Sequence, residues 1–368
     1  MFQNWLKPLA KPLENSAARM PEHSLGRQLV PFSKAEKNLK KVKIALIGLE
    51  ESQADVIRKE LYRFAFPFPE ASIADLGNLR KANEPSLLIP VLFELLSGNV
   101  IPVLIGGKDP LAKAQFLAYQ EAKALVNMAV IDQSLRFFPS LPQADVYSGL
   151  LEPRHPLLFH FSLLGYQSHL MPENLLEWLE KQHVECYRLG RSRPAIEDTE
   201  PTIRDADLMA FHLSALKQQE APGVDGASPS GYFLEEACQL ARYAGMSDKL
   251  SSFGVYGFQR QSDRESMSAQ AVAQLVWYFM DGVFNRKNDY PVSKTSLTEY
   301  VVDYPQMNYQ LSFWKSGKSG RWWMQIPDSN NKRKYQRHRL IPCSYTDYQA
   351  ACREELPDRL MQALDRFG

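Results

Sequence analysis

Asp132 closes an apolar run, Asn127-Met-Ala-Val-Ile-Asp132, and is followed by Ser134 and Arg136. Two other apolar runs end on comparable punctuation. Val103-Leu-Ile-Gly-Gly-Lys-Asp109 lies upstream; Leu208-Met-Ala-Phe-His-Leu-Ser214 lies downstream, trailed by Ala221-Pro-Gly223. These ends offer one carboxylate (Asp132), two cations (Lys108 and Arg136), an imidazole (His212) and two hydroxyls (Ser134 and Ser214). Lys108 and Arg136 can pair with Asp132 as a structural salt-bridge cluster, the preferred reading because buried charges need partners. Alternatively, their surplus charge can hold a carboxylate or phosphate metabolite. His212 with Asp132 could grip one weak metal, although a lone histidine beside a sheet is more often simply hydrogen-bonded.

The elements that must position these residues follow from periodicity. Short apolar runs at Val42–Leu49, Val100–Ile105, Asn127–Asp132, Leu157–Leu164, Val184–Leu189, Leu208–Leu213 and Ser252–Phe258 alternate with helical spacing, clearest at Glu84–Leu96, Gly231–Ala244 and Glu265–Phe284. Strands apolar on both faces and separated by helices predict a mostly parallel sheet covered on both sides, an α/β/α sandwich. Ligands bind such sheets beyond the carboxyl ends of the strands. Gly106-Gly107, Asp132 and His212 all stand at such ends, so Lys108, Asp132, Arg136 and His212 are expected to meet in one crevice.

In order and separation the three segments resemble the metal motifs of the ureohydrolase family (arginase, agmatinase, formimidoylglutamase): Gly-Gly-x-His, Asp-x-His-x-Asp, and Asp-x-Asp followed by Pro-Gly. The resemblance spans roughly residues 40–285 and implies an arginase-like three-layer sandwich. It also implies that two Mn²⁺ ions would be held where this chain has Lys108, Asp132, Ser134, Arg136, His212 and Ser214. Mn²⁺ favours carboxylate and imidazole, and paired metals make a nucleophile at neutral pH. Protonated Lys and Arg offer a metal no lone pair. The family's Glu-x-Asn-Pro-x-x-Asp pattern, whose glutamate helps hold the substrate's cationic end, matches Gly257-Phe-Gln-Arg-Gln-Ser-Asp263, so the glutamate position is Gly257. The expectation is a pseudoenzyme with a vestigial metal site, no metal and no cofactor, kept for binding or assembly through a protein partner or self-association. The enzymatic alternative is a divergent formimidoylglutamase- or agmatinase-type amidine hydrolase, with Mn²⁺ only if the ligand argument fails.

The remaining chain narrows the classes. Of 368 residues, 45% are hydrophobic and 23% charged, enough for a large core and against disorder. A formal net charge of +1 selects no acidic or basic partner for the chain as a whole. Cys186, Cys238, Cys343 and Cys352 show neither a C-x-x-C pair nor zinc spacing, and read as reduced thiols. His155, His160, His169 and His183 are too dispersed for a zinc site. The first residues lack the apolar run of a signal peptide, and no stretch approaches a membrane span. A cytoplasmic protein with no membrane role is expected.

Three regions are expected: an irregular arm over 1–40, the α/β domain over 41–285, and a small α+β extension over 286–368. In the extension, Leu297–Val302, Asn308–Trp314 and Arg321–Ile326 read as strands, Ser316-Gly-Lys-Ser-Gly320 as the turn between the last two, and Asp347–Phe367 as a closing helix. Residues 286–340 hold 11 Lys/Arg against 4 Asp/Glu. Trp314, Arg321, Trp322 and Trp323, with the run Lys332-Arg333-Lys334, form a candidate interaction surface. It could stack on nucleic-acid bases or serve as a protein hot spot. The preferred reading buries the tryptophans against the α/β core and leaves the cations solvated.

Overall fold

The computed structural model describes residues 2–367 except 69–71, 123–124, 136–145, 148, 153, 292–293, 305–308 and 327–336, and except the side chains of 121, 295 and 367. Its main sheet has ten strands: β1 (Leu6–Lys7), β2 (Val30–Pro31), β3 (Ile44–Gly48), β4 (Ile73–Leu79), β5 (Ile101–Gly107), β6 (Val126–Ile131), β7 (Leu158–Tyr166), β8 (Glu185–Arg188), β9 (Leu208–His212) and β10 (Ser252–Tyr256). The spatial order is β1-β4-β3-β5-β10-β9-β6-β7-β8, with β2 also on β4. Only β1 runs antiparallel to its neighbour.

Every residue of β3, β4, β5, β6, β9 and β10 is buried. This explains the continuous apolar runs: both faces of a parallel sheet are covered. One face packs under helices Glu51–Leu61, Leu234–Met246 and Met267–Phe284; the other packs under Pro85–Ser97, Leu111–Leu117 and Glu173–Lys181. The expected three-layer sandwich is the observed one.

Strand β4 escaped the sequence reading because Asp75, Gly77 and Asn78 interrupt its apolar pattern. Their polarity is matched internally. Arg58, fully buried on the helix after β3, donates from Nε to Asp75 Oδ2 (2.8 Å), from Nη1 to Asn78 Oδ1 (2.6 Å) and from Nη2 to the Gly77 carbonyl (2.7 Å). The Tyr62 hydroxyl donates to the same Asp75 oxygen at 2.6 Å.

Residues before 41 are not an irregular arm. They supply β1 and β2 to the sheet edge and bury Phe2, Leu6, Leu13, Leu25 and Phe32. Prolines fit there because edge positions tolerate a missing donor. The closing helix is two, Tyr345–Cys352 and Asp358–Phe367, broken where Glu354 takes φ +62° just ahead of Pro357.

The extension forms an antiparallel sheet of β11 (Leu297–Tyr304), β12 (Tyr309–Ser316), β13 (Trp322–Gln325) and β14 (Leu340–Cys343), with the expected turn between β12 and β13. Strand β14 was not foreseen. The candidate surface is corrected: Trp314, Trp322 and Trp323 are all buried, and Trp323 is 1% exposed. Arg204 of the main domain lies over the Trp323 ring at 4.7 Å and donates to the Trp322 and Cys343 carbonyls. Arg321 pairs with Glu200 at 3.3 Å. Trp323 thus faces the main domain, Trp322 stacks on Tyr348 inside the extension, and neither ring is open to base stacking. Lys332, Arg333 and Lys334 lie outside the described residues.

Two outcomes follow. Asp75→Ala leaves the buried Arg58 with Asp55 as its one remaining carboxylate partner among the described residues and should cost about 3 kcal/mol in denaturant unfolding. His338, stacked on Phe159 at 4.2 Å in the same seam, is held down at about 2 by burial, with Lys249 and Arg337 adding positive charge nearby. The unfolded chain therefore binds a proton below about 6.5 that the native state refuses. That contribution to stability is complete above this pH and erodes as pH falls toward 2. Urea midpoints should fall less steeply between pH 7 and pH 5 in His338→Phe than in the native chain.

Candidate functional site

Four neighbouring strands, β5, β10, β9 and β6, deliver their carboxyl ends side by side. Gly106 and Gly107 turn the chain out of β5. Gly106 has φ +68°, and a Cβ on Gly107 would sit 2.3 Å from Leu49 Cδ1. The next side chain, Lys108, points away: it is exposed, makes no ion pair among the described residues, and its N–H donates to Asn83 Oδ1 at 2.9 Å. The expected Lys108–Asp132 pairing is therefore corrected. Asp109 enters the crevice instead. The spacing Gly-Gly-x-His puts its fourth position on residue 109, one beyond the residue chosen from sequence, so the signal was in the motif itself.

Asp109 Oδ1 lies 2.6 Å from His212 Nε2. The Ser214 N–H donates to His212 Nδ1 at 3.1 Å. The Ser214 hydroxyl sits 2.6 Å from Nδ1 and donates to Asp132 Oδ1, which also accepts the Gln133 N–H at 2.7 Å. Asp132, His212 and Ser214 are all buried. A continuous chain of hydrogen bonds thus runs Asp109–His212–Ser214–Asp132. The space left among Asp109, Asp132, His212, Tyr147 and Tyr256 is a cavity of about 10 Å³, room for one water at most. Ser134 is half-buried in the loop after Asp132, and Arg136 lies outside the described residues.

Gly257 follows β10 with φ +83°, and its N–H donates to the Gly107 carbonyl at 3.1 Å. A Cβ there would stand 2.3 Å from His212 Nε2 and 2.6 Å from Cε1. The imidazole fills the space that any side chain at 257 would need. Asp263 serves the fold: its carboxylate accepts the Ser268 and Ala269 N–H groups at 2.8 and 3.2 Å and caps the helix that follows. Gly223 of the Ala-Pro-Gly turn packs against Asp263, where a Cβ would meet that of Asp263 at 2.7 Å.

The donor set does not fit a pair of divalent ions. Both imidazole nitrogens of His212 and one oxygen each of Asp109 and Asp132 are spent on one another. Among the described residues, no group of three or more His, Cys, Asp or Glu side chains is placed to hold a metal. Elsewhere, burial pushes the Cys186 and Cys238 thiols up to about 12, unsuited to nucleophilic chemistry.

Comparison with known proteins agrees with this frame. A formimidoylglutamase of Staphylococcus aureus is 22% identical over 225 residues, 57% of this chain and 72% of that protein. The fold superposes on a Trypanosoma cruzi formiminoglutamase with Mn²⁺ (TM-score 0.59, 16% identity, 67% of this chain and 95% of that one). It also superposes on a Bacillus subtilis arginase (TM-score 0.52, 16% identity, 65% and 98%). No family model matches the chain. The architecture is the arginase-like α/β/α fold, and the sequence relatives similar to this chain are formimidoylglutamases.

Because His212 and position 257 share one volume, Gly257→Ala should destabilise by about 2–4 kcal/mol, from the collision together with the left-handed backbone. In a His212→Ala background the same change should cost about 1 kcal/mol or less more than strain alone. A double-mutant cycle in urea reads the coupling.

Proposed function

We propose that this ureohydrolase-family protein has given up amidine hydrolysis and acts by binding or assembly. The observation that carries the reading is the closed Asp109–His212–Ser214–Asp132 chain, which leaves a cavity of only about 10 Å³ at the carboxyl edge. Where the family's motifs supply four aspartates against the four positive charges of two Mn²⁺ ions, this edge offers the two carboxylates of Asp109 and Asp132. His212 stands where an aspartate would be, Ser134 where a histidine would be, and Ser214 where another aspartate would be. A dication entering here would meet too little negative charge and side chains already bonded to each other. Substrate capture meets a second obstacle: position 257 carries no carboxylate and, with His212 in place, has no room for one.

The free thiols of Cys186, Cys238, Cys343 and Cys352 support a reducing compartment such as the cytoplasm, and no described helix is long and apolar enough to cross a membrane. Similarity to formimidoylglutamases supports one alternative, a divergent formimidoylglutamase in which Asp109, Asp132 and His212 form a rebuilt metal site.

One experiment separates the two readings. The protein is purified with Mn²⁺ supplied, its bound metal is measured by elemental analysis, and formiminoglutamate hydrolysis is assayed. The expected result is less than stoichiometric metal and no turnover above that of an Asp132→Ala variant. Stoichiometric metal with turnover abolished by Asp132→Ala would establish the enzyme instead.

A further inference from the structure

The seam between the main sheet and the extension collects buried polar atoms that have no hydrogen-bond partner among the described residues: His160 Nε2, His338 Nδ1, Arg366 Nε and Trp323 Nε1. His160 stands on β7, and His338 lies just ahead of β14; both rings are buried. Phe159, next to His160, packs into the extension's own core, and His338 is stacked on its ring. Unpartnered groups of this kind are uncommon in native interiors, and two of these four atoms belong to side chains that titrate near neutral pH.

The charges around the two rings are mostly positive. Arg154, ahead of β7, and Lys249, ahead of β10, act on His160; Lys249 and Arg337 act on His338; Arg366, on the last helix, acts on both. Three carboxylates oppose them, and each is already engaged. Glu185 on β8 has Oε2 3.3 Å from His160 Nε2, outside hydrogen-bond alignment, while it accepts from the Tyr187 hydroxyl and faces Arg359 and Arg366 at 3.7 Å. Asp205 pairs with Lys249 at 2.8 Å, and Asp207 pairs with Arg337. Tyr290, beside Lys249 and Arg337, is pushed up by burial and stays neutral. A proton on either ring would add positive charge to a seam whose carboxylates are spent. Burial, reinforced by these cations, holds both rings neutral while the extension is docked.

We propose that His160 and His338 form an acid-sensitive latch: in mild acid the extension from β11 onward opens away from the main sheet as a unit, while the sheet stays folded. Opening brings both rings into water, where each takes up a proton below about pH 6.5. The docked state refuses those protons, so docking is fully favoured above that pH and weakens about ten-fold per histidine for each pH unit below it. Between pH 7.5 and pH 5.0 the docking equilibrium should therefore fall about a thousand-fold for the pair. Carboxylates beside cations remain ionised in that range, so the ion pairs of the seam do not titrate with the latch. Opening also withdraws Phe159 from the extension's core, which couples undocking to loss of its sheet. The seam lies at the amino ends of β6, β7 and β9, across the sheet from Asp132 and His212, so the latch is independent of whether the carboxyl edge hydrolyses an amidine.

The test is hydrogen exchange read by mass spectrometry on the purified full chain at about pH 7.5 and pH 5.0, corrected for the intrinsic pH dependence of exchange. Peptides covering β12 and β13 should lose about a thousand-fold in protection at the lower pH, while those covering β3 and β5 change by less than about ten-fold. With His160→Gln and His338→Gln combined, the loss in β12 and β13 should shrink to less than about ten-fold; each single substitution should leave a loss of about thirty-fold. If the double variant is already open at the higher pH, the single variants carry the comparison. Unchanged protection of β12 and β13 in the native chain would overturn the proposal. So would an equal loss in β3 and β5, which is global unfolding, or a loss that persists in the histidine variants, which places the titration on other groups.

Discussion

His212 and a side chain at position 257 compete for one volume, and the present site exists because glycine concedes it. With no Cβ at 257, the imidazole can lie across the crevice, reach Asp109 through Nε2 and meet Ser214 through Nδ1. Ser214 passes the connection to Asp132. A charged pocket for two metals and a cationic substrate would need polar atoms held apart and facing an opening. Here the polar atoms face one another. Satisfying buried groups internally is favourable, because each unpaired one would cost about 1–3 kcal/mol.

The same economy runs through the fold. Arg58 answers Asp75 and Asn78 inside β4, and Arg204 answers the backbone carbonyls of β13 and β14 while covering Trp323. Lys249, fully buried, pairs with Asp205 at 2.8 Å in the seam where the extension docks. Two cations of the basic tail join them as internal fasteners, Arg321 on Glu200 and Arg337 on Asp207. The main domain and its extension are joined by buried ion pairs and by the Arg204–Trp323 contact.

Much of this was legible in the sequence. Both-faces-apolar strands such as Val126–Ile131 announce a covered parallel sheet, and the strand ends at Gly107, Ile131 and His212 announce the crevice. What escaped had physical reasons. Strand β4 hid behind Asp75 and Asn78, whose partner Arg58 is distant in sequence. The arm was read from its prolines and lysines, yet its few apolar residues, Phe2, Leu6 and Leu13, are the ones that dock it. Asp109 was overlooked beside Lys108, although alternate residues leaving a strand point to opposite sides, and only one could face inward. Burial of the tryptophans was the preferred reading of the sequence, and all three are buried, Trp323 under Arg204.

The central claim is that His212 is already bonded on both ring nitrogens and unavailable to a metal. Nitrogen-15 NMR of the histidine ring signals during Mn²⁺ addition tests this directly, with His212 assigned by comparison with a His212→Gln variant. The account predicts His212 ring signals that survive stoichiometric Mn²⁺ without selective paramagnetic broadening. Loss of the His212 signals at one equivalent of metal while the other histidine signals survive would contradict it, because the ion would then bind beside the imidazole.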